Sequence, residues 1–414
     1  MKIIIANYRY FIAGGPEKYM FKFMDAAKKM QIEVIPFSVA NPQNEKTIYS
    51  EYFAKPRAKQ LLYKDTNKTI GNLFGIIRAT IWNYDAEKRL RKLIRDTKPD
   101  AIYILHEINH LSPSIIRAAK KEGIRVVHRI SDFFMFCPKY DFLCENEICE
   151  ACLHGNYLKA IKKKCVKGSM MGTILRIFAM KVYKRTNIFD EVDKYICTCN
   201  FSKNKLIEGG IPNEKIACIP TFIDSTEITP YYHHDKYFLF LGRMAHQKGT
   251  IYAIEAMKKL KNTEYVLKIT GEITDSDEDQ MIWKYIKDNE LEEKVVFTGF
   301  KHGIELENLI SKSTCIVCPA IWYENMPNTV IEAYAYGKPV IASKLGSLAE
   351  IVIDNETGML FEPRNSADMA EKMLRFVKDE SLSRNLGKNA RIKCEKEYNV
   401  ETHMNNVVKE LKGA

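Results

Sequence analysis

Two carboxylates, Glu324 and Glu332, have seven residues between them inside Trp322–Tyr336. Cys315-Ile316-Val317-Cys318-Pro319 before them reads as a buried strand of a parallel sheet. Asn328 is a good N-cap for a helix, and Gly337 stops that helix ahead of Lys338-Pro339. A loop thus leaves the carboxyl end of a strand and enters a helix, the place where open α/β sheets bind ligands. Glu332 has oxygens that only accept, which suits a pair of vicinal sugar hydroxyls. Free N–H groups at the helix start favour an anion such as a diphosphate. Glu324 can reach a group held above them. A nucleotide-sugar meets all three demands, and so, less specifically, does a capped surface helix with two solvated glutamates.

The elements that would position partners lie elsewhere. Strand Phe238–Leu241 is followed by Gly242-Arg243-Met244-Ala245-His246-Gln247-Lys248-Gly249 and a helix over Thr250–Lys261. A guanidinium and an ammonium on such a loop can hold a diphosphate, each charge-assisted contact contributing roughly 1.5–3 kcal/mol; otherwise this is a solvated basic loop. Near the N-terminus, strand Ile3–Ala6 leads through Gly14-Gly15 to a helix over Glu17–Met30. Glycines there let backbone approach a phosphate. No Gly-x-Gly-x-x-Gly occurs, which argues against a nicotinamide dehydrogenase. After strand Ile124–His128, Ser131-Asp132 offers a carboxylate that could orient an acceptor hydroxyl; His106 and His128 read as structural. Asp275-Ser276-Asp277 reads as acids favoured ahead of a helix rather than as a metal-nucleotide motif. Residues 41–98 are polar and helical in pattern, with Leu73, Ile76, Ile77 and Ile81 at helical spacing.

The stretch Trp322–Tyr336 resembles the signature of the retaining glycosyltransferases of family four, which carry Glu-x7-Glu before a helix of the second domain. Glu324, Asn325, Pro327, Asn328 and Glu332 occupy the matching positions. The resemblance implies an α/β fold with two doubly wound Rossmann-like domains facing a central cleft, the GT-B arrangement. It also implies a UDP- or GDP-linked sugar donor, a glycan or lipid-linked glycan acceptor, and no catalytic metal. Carried over residue by residue, it makes Arg243 and Lys248 the stabilisers of the leaving diphosphate and gives the ribose to Glu332. Glu324, with the Asn325, Met326, Pro327, Asn328 and Thr329 segment, positions the sugar. Gly14, Gly15 and Gly242 approach the donor phosphates, and Gly299-Phe300 contacts the base. Ser131 stands where many relatives have His, so Asp132 is left as the acceptor-side carboxylate; that departure also motivates a second reading, a non-catalytic scaffold that binds nucleotide-sugar or glycan. Expected boundaries are 1–222 for an acceptor-side domain with an insertion at about 133–185, 223–398 for the donor domain, and 399–414 for a helix crossing back.

Five cysteines, Cys137, Cys144, Cys149, Cys152 and Cys165, crowd the insertion. The Cys149-x-x-Cys152 spacing suits a zinc knuckle, completed by Cys165 with Cys137 or Cys144; free thiols and an iron–sulfur cluster are the alternatives. A subset of the resembled family has a similar pattern of cysteines. Four thiolates would leave no open position, so such a metal is structural. Cys197 and Cys199 alternate on a strand read over Tyr195–Cys199 and should share one face.

The 414 residues suit two domains, and 46% apolar content supports two cores. No signal peptide or spanning stretch is evident, which points to the cytoplasm. The formal charge of +11 suits acidic partners. Between Gly155 and Arg185 nine Lys/Arg and no Asp/Glu interleave with apolar residues. Such a run reads as a peripheral contact with an anionic membrane on its inner face, or as a core-facing helix with a solvated basic side. With few aromatics and no known module, nucleic acid is not expected as a partner.

Overall fold

The computed structural model describes residues 1–56, 80–107, 110–271 and 277–413. The first sheet begins with β1 (Lys2–Asn7), β2 (Glu33–Phe37), β3 (Ala101–His106) and β4 (Arg125–Arg129). A short antiparallel hairpin, β5 (Leu143–Cys144) and β6 (Glu147–Ile148), interrupts before β7 (Lys194–Cys197) and β8 (Ile216–Cys218) complete it. The order is β2-β1-β3-β4-β7-β8, all parallel. Ile3, Ile4 and Ile5 are fully buried because helices cover both faces, which is why such strands read as unbroken apolar runs.

The second sheet comprises β9 (Tyr237–Leu241), β10 (Val266–Thr270), β11 (Val295–Gly299), β12 (Cys315–Cys318), β13 (Val340–Ser343) and β14 (Gly358–Phe361). Its order, β11-β10-β9-β12-β13-β14, reverses direction between β9 and β12. In doubly wound sheets that reversal opens a crevice beyond the strands' carboxyl ends. Both domains are therefore Rossmann-like.

The final helix, Val400–Lys412, is capped by Asn399, whose side chain accepts from Thr402 N. Its Met404, Val407 and Leu411 are buried among Ile3, Ile5 and Tyr103 of the first domain. Each such side chain contributes roughly 1.5–3 kcal/mol by leaving water. His403 on this helix meets the Pro220 carbonyl through Nδ1 at 2.6 Å and the Tyr19 hydroxyl through Nε2 at 2.9 Å. Burial holds its pKa down to about 3, so the ring is neutral.

Several local expectations change. Strand β2 contains Pro36; it lies at the sheet edge, where a missing N–H interrupts no ladder. Cys199 is not on a strand: β7 ends at Cys197, and Cys199 caps the helix Asn200–Glu208. Asn328 is the first residue of its helix rather than the cap, and Pro327 at the cap offers no side-chain acceptor. Of the apolar residues read as helical in 41–98, Ile81 packs on the first core, whereas Leu73, Ile76 and Ile77 lie outside the described residues, as do Asp275 and Ser276.

Candidate functional site

The site forms where two loops meet at the switch point of the second sheet. The loop after β9 carries Gly242, Arg243 and Lys248; the loop after β12 carries Trp322 and Glu324. Gly249 makes the meeting feasible. Its φ is +68°, and a Cβ there would stand 1.9 Å from the Pro319 carbonyl oxygen. Ile321 N donates to Gln247 O at 3.0 Å and ties the loops again. In consequence Lys248 Nζ donates to Glu324 Oε1 at 2.6 Å. The same oxygen accepts from Trp322 Nε1 at 2.7 Å, and the ammonium lies 5.4 Å from the Trp322 ring centre. Glu324 is buried, with its backbone carbonyl held by Ser347 Oγ at 2.7 Å. Arg243 is exposed on the same loop as Lys248.

Gly242, Gly271 and Gly299 continue the rim. Gly242 N donates to Thr270 O, and Gly271 N to Gly299 O. Phe300 beyond them is 74% exposed, stacked 6.3 Å from His302; a bare aromatic face at this rim suits a planar base.

Glu332 lies one turn inside the helix Asn328–Ala335. It lines a crevice with Lys18, Lys22, Tyr19 and Thr221 of the first domain. Burial raises its carboxyl pKa, while Lys18 and Lys22 pull it down. Gly15 lies against the start of this helix, 3.5 Å separating Asn328 Nδ2 from where a Gly15 Cβ would be. Gly14 caps its own helix in extended conformation without any side-chain bond. The first-turn N–H groups beside Pro327 and Thr329 likewise have no side-chain cap.

Asn325 and Met326 turn toward the first domain instead. Asn325 Nδ2 donates to Ile130 O at 2.7 Å, and its Oδ1 accepts from Ser202 Oγ at 2.6 Å and Thr198 Oγ1 at 2.9 Å. Met326 Sδ accepts from Thr221 N at 3.2 Å. Glu350 adds another bridge: its carboxylate accepts from Asn200 N, Asn200 Nδ2 and Phe201 N, each at 2.8 Å.

Facing these loops, the first sheet reverses between β1 and β3. Asp132 Oδ2 lies 3.1 Å from His106 Nε2, and its Oδ1 accepts from Phe134 N at 2.9 Å. Burial pushes the His106 imidazole down, yet the Asp132 hydrogen bond and charge outweigh it and the net pKa is raised. Ser131 Oγ is spent on the Leu105 carbonyl at 2.9 Å. Tyr8 packs edge-on to His106 at 4.9 Å, with Arg9 4.8 Å above its ring. Burial, with the nearby charges of Asp141 and Asp132, raises the Tyr140 hydroxyl pKa, and Arg243 pulls it down. Sequence reasoning missed Tyr8, Arg9 and Tyr140, which carry no motif; for His106 the pairing is visible only once β3 and β4 lie side by side.

In the insertion, Cys137, Cys144, Cys149, Cys152 and Cys165 line one small cavity. Cys144 Sγ and Cys165 Sγ stand 3.8 Å apart. Burial raises the Cys137 thiol to about 11 and those of Cys152 and Cys165 to about 12. Among the described residues no three potential ligands reach metal-binding spacing as placed. The donor set itself is all sulfur, which fits zinc.

Residues 224–393 match the family model described as glycosyl transferases group 1. The match covers every strand of the second sheet, β9 to β14. An uncharacterized glycosyltransferase of Methanocaldococcus jannaschii is 32% identical over 200 residues, 48% of this chain and 54% of that protein. A second from the same organism is 33% identical over 148 residues, covering 36% of its length; the alignments thus span about half and about a third of these two relatives. UDP-Gal:alpha-D-GlcNAc-diphosphoundecaprenol alpha-1,3-galactosyltransferase of Escherichia coli is 26% identical over 299 residues, 69% of this chain and 75% of that enzyme. Among solved structures, sucrose-phosphate synthase from Thermosynechococcus elongatus superposes with a TM-score of 0.72 at 18% identity, covering 100% of this chain and 98% of that one. Anabaena HepE in complex with UDP superposes at 0.69 and 14% identity, covering 100% of both chains. The likeness to these structures runs over both domains and shows the two-domain GT-B fold.

Proposed function

We propose that the protein is a retaining glycosyltransferase that moves a sugar from a nucleotide-sugar to a hydroxyl of a lipid-linked or surface-polysaccharide glycan. One observation carries this reading: the cationic loop after β9 and the acidic loop after β12 meet through Lys248 and Glu324 at the crevice of the second sheet. The E. coli relative, by its name, uses UDP-Gal and a diphosphoundecaprenol-linked acceptor, and HepE was captured with UDP; both favour a UDP-linked donor.

In this mechanism Arg243 and Lys248 stabilise the diphosphate as the sugar–phosphate bond breaks. Lys248 gives up part of its bond to Glu324 when the diphosphate arrives, freeing that carboxylate to hold a sugar hydroxyl. Uncapped N–H groups around Asn328 and Thr329 face the donor anion, with Gly14, Gly15 and Gly242 allowing close approach. Glu332 accepts from the ribose, and Gly299 with Phe300 borders the base. Asp132, steered by His106, orients the acceptor hydroxyl. Charge stabilisation comes from side chains, and no divalent metal is assigned to the chemistry.

A structural zinc ion in the insertion is part of the proposal, held by Cys149, Cys152 and Cys165 with Cys137, or Cys144 in its place, as the fourth ligand. Two sulfurs about 2.3 Å from a tetrahedral ion lie close to the Cys144–Cys165 separation of 3.8 Å. The domain limits 1–222, 223–398 and 399–414 remain our working division. No helix among the described residues is long and apolar enough to cross a membrane; we assign the enzyme to the cytoplasmic side, in peripheral contact with the membrane.

The test is turnover with a nucleotide-sugar panel that includes UDP-glucose. Arg243→Ala and Lys248→Ala should each lose about 10²–10³ in rate while melting like the parent. Near-normal turnover in both removes the leaving-group assignment. A protein that binds donors but releases no nucleoside diphosphate with any acceptor is a scaffold instead, the reading to which Ser131 lends weight.

A further inference from the structure

We propose that Arg9 is the anion-binding residue of the acceptor side: its guanidinium takes the phosphate of a lipid-diphosphate acceptor and so brings the acceptor hydroxyl to Asp132. The inference deepens the glycosyltransferase reading and rests on it.

Arg9 belongs to the loop that runs from β1 to the helix Gly15–Lys29. Both ends of this loop are fixed on the site. At its start Tyr8 N donates to His106 O at 3.0 Å, and the Tyr8 ring packs edge-on to the His106 ring at 4.9 Å. His106 in turn lies 3.1 Å from Asp132. At its end Gly15 lies against Asn328, the first residue of the helix Asn328–Ala335. Arg9 follows Tyr8 directly and so stands at the acceptor end of this span. The donor diphosphate has its own cations, Arg243 and Lys248, on the loop after β9.

The guanidinium is positioned but not neutralised. It lies 4.8 Å from the Tyr8 ring centre and 5.9 Å from that of Phe11. Tyr8 is itself steadied by His110, whose ring stacks on it at 5.1 Å. Aromatic faces hold the cation in place and leave its N–H groups to a ligand. Among the described residues no carboxylate pairs with Arg9, and its Nε is buried without an acceptor. Acids of this corner are engaged elsewhere: Asp132 with His106 and the Phe134 amide, Glu107 with His128. A buried donor on a permanent cation is costly to leave unmet, and a phosphate meets it with the matching fork geometry. Ile12, three residues on, is 61% exposed. An inorganic anion has no use for that apolar side chain, whereas the hydrocarbon beyond a lipid diphosphate has.

Calorimetry on the full chain tests this with geranyl diphosphate, titrated with saturating UDP present to fill the donor site. The parent should bind the probe. Arg9→Gln should bind it about tenfold to a hundredfold more weakly, and Arg9→Lys, which keeps the charge and loses the fork, should fall between. Three results overturn the assignment: no binding by the parent, equal affinity in parent and Arg9→Gln, or binding that vanishes once UDP is added, which would put the anion in the donor site. A parent that does not bind UDP counts against the donor site rather than against Arg9, and the same titrations without UDP then decide the question for Arg9.

Discussion

Gly249→Ala isolates what the loop junction contributes. Two costs are separable. The first is backbone strain: an L-residue at φ +68° loses about 1–2 kcal/mol. The second is displacement. The new Cβ would lie 1.9 Å from the Pro319 oxygen, where real contacts begin near 3.0 Å, so the loops must part by more than 1 Å. Added to the 2.6 Å Lys248–Glu324 contact, that movement breaks the hydrogen bond. A misplacement of about 1 Å can cost on the order of 10² in rate. Gly303→Ala is the control: φ is +54° and nothing lies within 4 Å of its Cβ, so it carries the strain without the displacement. Scanning calorimetry should find both variants less stable by several degrees, at about 2–4 °C per kcal/mol for domains of this size. Release of UDP from UDP-glucose should fall about 100-fold in Gly249→Ala only. Activity of Gly249→Ala within about threefold of Gly303→Ala would refute the claim that this contact sets the position of Lys248.

Metal analysis of protein purified without chelators should find about one equivalent of zinc, lost in Cys152→Ser; below about a tenth of an equivalent the zinc site is rejected. His403 should make the protein acid-sensitive. Its folded pKa near 3 lies below the ordinary 6.5, so the unfolded chain binds the extra proton between these values. That stability is present above pH 6.5 and declines as pH falls toward 3, at up to about 1.4 kcal/mol per pH unit. Urea unfolding at several pH values should show a shallower decline in His403→Gln, and identical slopes would contradict the assignment. Asn325→Ala removes three side-chain hydrogen bonds between domains and leaves the Ile130 carbonyl unmet. A loss of about 1–3 kcal/mol and a more open shape in small-angle scattering are expected; an unchanged scattering profile would count against a bridging role.

How much of this was legible beforehand depends on the physics behind each signal. Parallel strands buried on both faces announce themselves as apolar runs, so Ile3–Ala6, Phe238–Leu241 and Cys315–Pro319 each match an observed strand to within one residue at either end. Strand β2 was not anticipated, because Pro36 argues against a strand unless the edge position is known. The loops bearing Lys248 and Glu324 could be read from their place between strand and helix, but their 2.6 Å contact depends on the β9–β12 reversal. Asn325 illustrates the limit differently. A signature marks the residue, while its partners Ile130, Thr198 and Ser202 come from a separate domain. Side-chain pairing across a cleft leaves no periodicity in either segment.

Glu350 belongs to the second domain, yet it accepts three bonds from the first turn of the helix Asn200–Glu208 in the first. Parting the two halves would strip that turn of an acceptor worth about 0.5–2 kcal/mol. Any such opening would therefore be sprung: fraying at Asn200 would take up part of the work, and recapping by Glu350 would return it on closure.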